Sequence, residues 1–278
     1  MKKLYDELAY DVSKITTKKY STSFSLGINA LSSTLRPGIY AIYGFVRLAD
    51  EIVDSFHLYN KEELLQRFKE QTWQALDEGI SLNPILQSFQ ETVRKYDISR
   101  RLIEHFLHSM EMDLKRKEYD SELYNEYILG SAEVVGLMCL HVFVEGDKDA
   151  YVNLKPYAMK LGSAFQKVNF LRDLKDDYHV LGRTYFPNID MRNFSSHAKS
   201  AIEKEIELEF KEALIGIQKL PSSSKFGVYL AYRYYNSLLK KIKNTSAEVI
   251  ANERIRIPDS KKLSLMMRSY VQYKMMLL

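Results

Sequence analysis

Apolar residues along this chain recur at intervals of three and four rather than two. That period predicts helices over residues 4–19, 37–56, 61–78, 84–96, 99–117, 122–144, 149–178, 194–219, 225–244 and 260–276. No stretch alternates strand-like with helix-like patterning. Pro37, Pro84 and Pro156 read as residues just inside helix starts, where a missing N–H is tolerated, and Pro187, Pro221 and Pro258 fall in the breaks. No linker rich in Gly, Ser or Pro divides the chain and no repeat of fixed period appears. Residues 1–278 therefore read as one all-α domain, a single helical bundle.

Two of these helices carry the wrong residues for their pattern. In the segment 37–56, Ala41, Ile42, Phe45, Val46, Leu48, Ala49, Ile52 and Val53 spread over most of the circumference, which marks a buried helix. Yet Tyr43, Arg47, Asp50 and Asp54 recur at steps of 4, 3 and 4 as one polar stripe, with Glu51 beside it. Carboxylates at i and i+4 sit on the same face, about 5–6 Å apart at Cβ. Burying two of them is costly unless a cation joins them. The segment 161–178 repeats the device: Gly162, Gln166, Asn169, Asp173 and Asp177 form a stripe on an apolar body of Leu161, Phe165, Val168, Leu171 and Leu174. Every donor in the two stripes is an oxygen, a set that suits Mg²⁺, which keeps waters and is completed by substrate phosphates. One isolated DxxxD is usually a solvated acidic face. Two of them, each in an otherwise apolar helix and each with basic neighbours (Arg47; Arg172 and Lys175), point to metal held between facing helices.

Composition narrows the classes without changing that picture. Hydrophobic residues at 46% and charged residues at 27% are globular values and exclude a disordered or fibrous chain. Gly 11 and Pro 6 amount to about half of typical usage, which argues against an all-β sandwich or barrel. Cys139 is the sole cysteine, so no internal disulfide framework or multi-cysteine zinc site exists. The net charge of +4 is too weak to imply nucleic acid; it suits anionic small molecules or an anionic membrane surface. Nucleotide-binding glycine loops and the nucleophile elbow GxSxG are missing. The most apolar run, Val134–Val144, is 11 residues long, short of the roughly 18 that a membrane span needs. The amino terminus lacks the apolar core of a signal peptide, and the carboxyl end, MMRSYVQYKMMLL, reads as a packed terminal helix. The expectation is a cytoplasmic protein with peripheral contact at the inner face of the membrane. His57, His105, His108, His141, His179 and His197 share no spacing and read as structural.

With these motifs in view, YSTSF (20–24), YAIYGFVRLADEIVD (40–54) and QKVNFLRDLKDDYHVLGRTYFP (166–187) resemble the signatures of the squalene and phytoene synthase family. The likeness extends to NERIRIPDSKKL (252–263). It implies the all-α isoprenoid-synthase fold, with a central apolar cavity between two aspartate-rich helices. It also implies a prenyltransferase reaction: two geranylgeranyl diphosphates joined head to head through a cyclopropylcarbinyl diphosphate to give phytoene. Squalene, dehydrosqualene or hydroxysqualene made from farnesyl diphosphate is the alternative, and a non-catalytic binding module a remoter one. By the same resemblance Asp50, Asp54, Asn169, Asp173 and Asp177 hold Mg²⁺, with Mn²⁺ as a substitute, and no redox cofactor is expected. Tyr20, Ser21, Thr22, Ser23, Phe24, Arg47, Gln166 and Arg172 contact substrate, and Tyr43 lies near the first reaction centre. Phe24, Tyr40 and Tyr43 offer ring faces to a carbocation. The expected partners are the isoprenyl diphosphates, with no nucleic acid, in a monomer or dimer.

The sequence also departs from the family's pattern. LGSAEVVG (129–136) places Glu133 where a small residue is usual and Leu129 where an aromatic is, while Gly130, Ala132 and Gly136 keep positions that let chains pass close to a helix. Glu248 or Val249 stands where many relatives carry a tyrosine. Arg254, Arg256, Lys261 and Lys262 read either as a clamp over diphosphate or as a solvated basic end.

Overall fold

The computed structural model describes residues 1–115, 118–187, 189 and 194–275. Its elements are α1 (Lys2–Tyr20), α2 (Thr22–Asn29), α3 (Arg36–Asp54), α4 (Lys61–Glu78), α5 (Pro84–Tyr96), α6 (Arg100–Lys115), α7 (Ser121–Ile128), α8 (Val134–Phe143), α9 (Lys148–His179), α10 (Ser196–Lys219), α11 (Ser222–Lys243), α12 (Ala247–Asn252) and α13 (Asp259–Lys274). Among the described residues no strand forms; Glu118 and Thr184 share one isolated bridge. The helix starts follow local chemistry. Ser21, Asn60, Asn83, Asp120, Asp147, Ser195 and Ser246 each accept a backbone N–H of the first turn through the side chain, which satisfies donors that the helix itself leaves open.

Two short helices, α2 and α12, were not expected from periodicity, because eight and six residues are too few for an amphipathic pattern to declare itself. Pro156 lies well inside α9 rather than at its start. The helix carries on through it, giving up the hydrogen bond to Val152 on an exposed part of its surface. Helices α7 and α8 are joined by a π-helical turn, Leu129–Glu133. Together they form one helix, Ser121–Phe143, of 23 residues, long and apolar enough by length and composition to cross a membrane. The 11-residue run read from sequence is only its second half. Half of the apolar stretch is buried inside the fold, with Leu137, Met138, Leu140 and Val142 all nearly inaccessible.

The core divides into two apolar clusters. One gathers α3 with α4, α5 and α6, and at its centre Phe45 stacks on Phe89 at 3.8 Å and touches Phe106 at 5.4 Å. The other gathers α9 with α10 and α11 and is rich in aromatics, among them Phe170 stacked on Tyr185 at 4.2 Å. Leu102 and Phe143 pack against both clusters. Small residues set the spacing between helices. A Cβ at Gly162 would lie 2.6 Å from the Ala132 carbonyl oxygen, and one at Gly136 would lie 3.0 Å from the Ala158 carbonyl oxygen, so α8 and its π-turn press directly on α9. A Cβ at Gly130 would lie 2.6 Å from the His105 carbonyl oxygen and 2.7 Å from Ser109 Cβ.

Because the neighbours of Gly130 include backbone that cannot yield, Gly130→Ala is expected to destabilise the protein by about 1–3 kcal/mol through overpacking. Gly136→Ala, with its looser contact, should cost less. Urea unfolding of the two variants beside the parent measures both; equal stability for all three would show that α6 and the π-turn are not held this tightly.

Candidate active site

The two polar stripes lie on α3 and α9, the helices that flank an elongated cavity. Tyr43, Arg47 and Asp50 line it from α3, and Gln166, Asn169 and Arg172 from α9. Phe24, Ile28, Val135, Phe165, Val228 and Tyr235 are among the residues that supply its apolar and aromatic wall. The rings are arranged around Phe24, whose centroid lies 5.8 Å from Tyr43, 6.4 Å from Phe165 and 5.9 Å from Tyr235. Phe165 and Tyr235 stack at 3.9 Å. The Tyr235 hydroxyl donates to Asn169 Oδ1 (3.2 Å), and Asn169 Nδ2 donates to Gln166 Oε1 (3.3 Å). These bonds fix the rotamers of two of the stripe's amides.

The aspartates from the two helices meet at one end of the cavity. Burial, then the charge of Asp54, pushes the Asp50 carboxyl up to about 7. Burial, then Asp173 and Asp54, pushes Asp177 up to about 8. That Asp54 of α3 acts on Asp177 of α9 places the two pairs face to face. Among the described residues, neither the Asp50 nor the Asp177 carboxylate has a hydrogen-bonded or ion-paired partner, while Asp54 and Asp173 do. Arg183 Nη1 donates to Asp54 Oδ1 at 2.8 Å. Asp173 is held twice, by Arg172 Nε at 2.9 Å and by Arg254 Nε at 2.8 Å. Among the described residues no group of three or more His, Cys, Asp or Glu converges on one point. The donor set thus fits a hard cation that takes one or two carboxylates and completes its shell with water and phosphate oxygen. It does not fit a dedicated all-protein cage.

Arg183 connects this end to a network that the sequence reading missed. It is 7% exposed and lies 3.5 Å from Asp113, itself 4% exposed. Tyr127 donates to Asp113 Oδ2 (2.8 Å) and Tyr185 to Asp113 Oδ1 (3.0 Å). Burial raises the Asp113 carboxyl to about 6 against the opposing pull of Arg183. A signal for Asp113 was present: it continues the apolar face of Ile103, Phe106 and Met110 at helical steps, and a carboxylate on a buried face needs a partner. The partner, Arg183, stands 70 residues further along the chain, beyond the reach of any local pattern.

Around the mouth, the structure sorts the remaining candidates. Tyr20, Ser21 and Ser23 line the cavity with Phe24; the Ser21 hydroxyl also caps α2 by accepting from Phe24 N at 3.1 Å. Thr22 is exposed outside that lining and its hydroxyl accepts from Lys262 Nζ at 2.6 Å. The Arg47 guanidinium sits 4.3 Å over the Tyr20 ring and pairs with Glu51, rather than with Asp50. Arg172 pairs with Asp173, rather than with Asp176. Tyr40 does not reach the cavity, because its ring is buried in the α3 core and its hydroxyl donates to Asn29 Oδ1 at 3.1 Å. Of the carboxyl-terminal basic residues Arg254 lines the cavity, Arg256 is exposed, and the side chain of Lys261 lies outside the described residues. Glu133 is not in the lining; it is half-buried near Glu209, Lys160 and Lys167. Cys139 lines the cavity, but burial pushes its thiol up to about 12, so it stays protonated. Among the described residues no histidine contributes to the lining.

Known proteins resemble this chain in sequence and in fold. The family model for squalene/phytoene synthase matches residues 17–261. A phytoene synthase of Arthrospira platensis is 25% identical over 92% of this chain and 90% of its own length. Chloroplastic phytoene synthase 1 of Arabidopsis thaliana is 27% identical over 84% of this chain, which spans 60% of that longer protein. Among solved structures, a dehydrosqualene synthase in complex with a ligand superposes with a TM-score of 0.81 at 20% identity, covering 97% of this chain and 98% of its own. Squalene synthase HpnC from Alicyclobacillus acidocaldarius gives 0.75 at 19% identity, over 87% and 95%. The fold is the all-α isoprenoid-synthase fold, and the chain belongs to the squalene/phytoene synthase family of prenyltransferases.

Proposed function

We propose that this protein condenses two molecules of geranylgeranyl diphosphate head to head to phytoene, in carotenoid biosynthesis, with Mg²⁺ or Mn²⁺ at the facing aspartates. The observation that carries the reading is that Asp50 and Asp177, half-buried at the end of an aromatic-walled cavity, have no hydrogen-bonded or ion-paired partner among the described residues and hold their protons into the neutral range. Asp50, Asp54, Asn169, Asp173 and Asp177 would hold the metal, and the bound ions would neutralise charge on the departing diphosphate. Phytoene synthases among the curated relatives favour the C20 substrate. The structural resemblance to dehydrosqualene and squalene synthases keeps farnesyl diphosphate as the second reading.

In the proposed reaction, Arg47, Arg172 and Arg254 bind diphosphate oxygens by charge-assisted hydrogen bonds, helped by the hydroxyls of Ser21 and Ser23. Tyr43, Phe24, Phe165 and Tyr235 face the allylic cation with their rings. The apolar wall keeps water from trapping it while the second prenyl double bond attacks. The resulting cation closes to a cyclopropylcarbinyl diphosphate with loss of one proton. This intermediate ionises, rearranges and loses a second proton, and each proton passes to a released diphosphate; no side-chain base is assigned. The hydrocarbon product partitions into bilayers, so peripheral contact with the inner face of the cytoplasmic membrane is part of the proposal.

Mass analysis of the product from purified protein, Mg²⁺ and either diphosphate alone is the direct test. A C40 hydrocarbon from the C20 substrate is expected, and turnover of the C15 substrate alone overturns the C20 assignment. Asp50→Ala and Asp173→Ala should each lower turnover at least about 1,000-fold, since the metal contributes several kcal/mol to leaving-group stabilisation. Unchanged product formation would remove the metal from the reading. The metal-free protein has a further signature. Asp50 and Asp177 hold protons in the folded state up to about pH 7 and 8, whereas the unfolded chain releases them near pH 4. Folded protein therefore binds more protons across that window, and its stability falls as pH rises. Mg²⁺ competes with those protons, so the rise in Tm on adding Mg²⁺ should be larger at pH 8.5 than at pH 5.5. Calorimetry at the two pH values measures it, and an equal rise at both contradicts metal binding at these carboxylates.

A further inference from the structure

We propose that Tyr157, seated against Gly216 at the deep end of the cavity, sets the longest prenyl chain that the site accepts. The inference rests on the site being the prenyl diphosphate site argued above, and it assigns a specificity role to a residue that no motif marks.

Residue number along α9 measures depth. Helix α10 runs antiparallel beside it, as the contacts Lys167 with Glu205, Ser163 with Glu209 and Tyr157 with Gly216 establish. On the other side, α8 and its π-turn are antiparallel too, with Ala132 beside Gly162 and Gly136 beside Ala158. The cavity face of α9 therefore descends from Arg172 through Phe165, Leu161 and Tyr157 to Leu154. Asp173 to Tyr157 is 16 residues, or about 24 Å at a rise of about 1.5 Å per residue. Four carbon–carbon bonds of about 1.5 Å make an extended isoprene unit about 5 Å long, so a C20 chain spans roughly 20 Å and a C15 chain roughly 15 Å. A metal-bridged phosphate takes up about 4 Å of the distance. A C20 chain therefore ends level with Tyr157, and a C15 chain ends near Leu161.

At that level the wall is unusual. Tyr157 and Gly216 both line the cavity. A Cβ at residue 216 would lie 2.3 Å from Tyr157 Cβ and 2.8 Å from its Cγ. The tyrosine thus occupies the space that a side chain on α10 would take. Lys219, an exposed residue, places its Nζ 5.2 Å from the ring centroid, so the ring also reaches toward the surface. Beyond it, Leu154 and Leu220 continue an apolar lining and are 5% and 7% exposed. Removing the ring would lengthen the apolar path by about the width of an aromatic ring, close to one isoprene unit. Adding a methyl group at residue 216 would drive the ring inward and shorten it.

The test compares kcat/KM for C15, C20 and C25 all-trans diphosphates, each alone with Mg²⁺, in the full-length protein. Relative to wild type, Tyr157→Ala should raise the C25-to-C20 ratio by at least about tenfold, and Tyr157→Phe should hold it within about twofold, as expected for apolar discrimination of this size. Gly216→Ala should lower the C20-to-C15 ratio, and the double variant Gly216→Ala/Tyr157→Ala should restore it. A packing role alone would lower kcat/KM for every substrate together and leave the ratios fixed, and that result overturns the inference. If Gly216→Ala does not fold, the Tyr157 series decides by itself. Wild type that uses only the C15 substrate overturns the C20 assignment and this inference with it, because a C15 chain ends near Leu161; fixed ratios in a protein that does use the C20 substrate overturn this inference alone. No turnover of any diphosphate overturns both.

Discussion

Four carboxylates on two helices, forced to face each other beside an apolar cavity, are the constraint around which this protein is built. Two negative charges four residues apart on one buried helix face are already unfavourable, and bringing a second such pair opposite the first compounds the repulsion. The fold tolerates the arrangement because three arginines take part of the charge. Arg183 holds Asp54, and Arg172 and Arg254 share Asp173. The remaining pair, Asp50 and Asp177, is left without a counter-charge among the described residues. The same imbalance is what the proposed cation would relieve.

The arginines also tie distant parts of the chain to the site. Arg254 comes from the segment after α12, so the carboxyl-terminal part of the chain reaches the aspartate end only by folding back over α9. Arg183 follows α9 and reaches Asp54 on α3, then Asp113 on α6, where Tyr127 and Tyr185 complete the acceptor's hydrogen bonds. A buried ion pair contributes little net stability, but one whose every lone pair is satisfied fixes geometry, and breaking it strands a buried charge. Here it ties α3 and α6 to the segment that follows α9.

Away from the charged end, the cavity exists because glycines let helices approach at some levels while large side chains hold them apart at others. Gly162 lies against the Ala132 carbonyl, and Gly227 against Leu31 and the Gly27 carbonyl. Between these contacts Phe24, Phe165 and Tyr235 line an apolar channel without filling it. The π-turn at Leu129–Glu133 belongs to the same device. One extra residue in the turn shifts the faces of α7 and α8 relative to each other, and both Tyr127, which also reaches Asp113, and Val135 line the cavity.

The chain's own order was enough to determine the helices and the two stripes, because a 3.6-residue period and i, i+4 spacing are local properties that survive in one dimension. It raised the expectation of a hard cation as well, because every donor in the two stripes is an oxygen. The placement of Tyr40 in the core and the surface position of Thr22 were decided by tertiary packing. So were the partnership of Asp113 with Arg183 and the packing of Tyr157 on Gly216. Each joins residues on different elements or depends on which side of a helix faces a neighbour. That orientation follows from how apolar faces and close backbone contacts fit together in three dimensions, and no spacing along the chain records it.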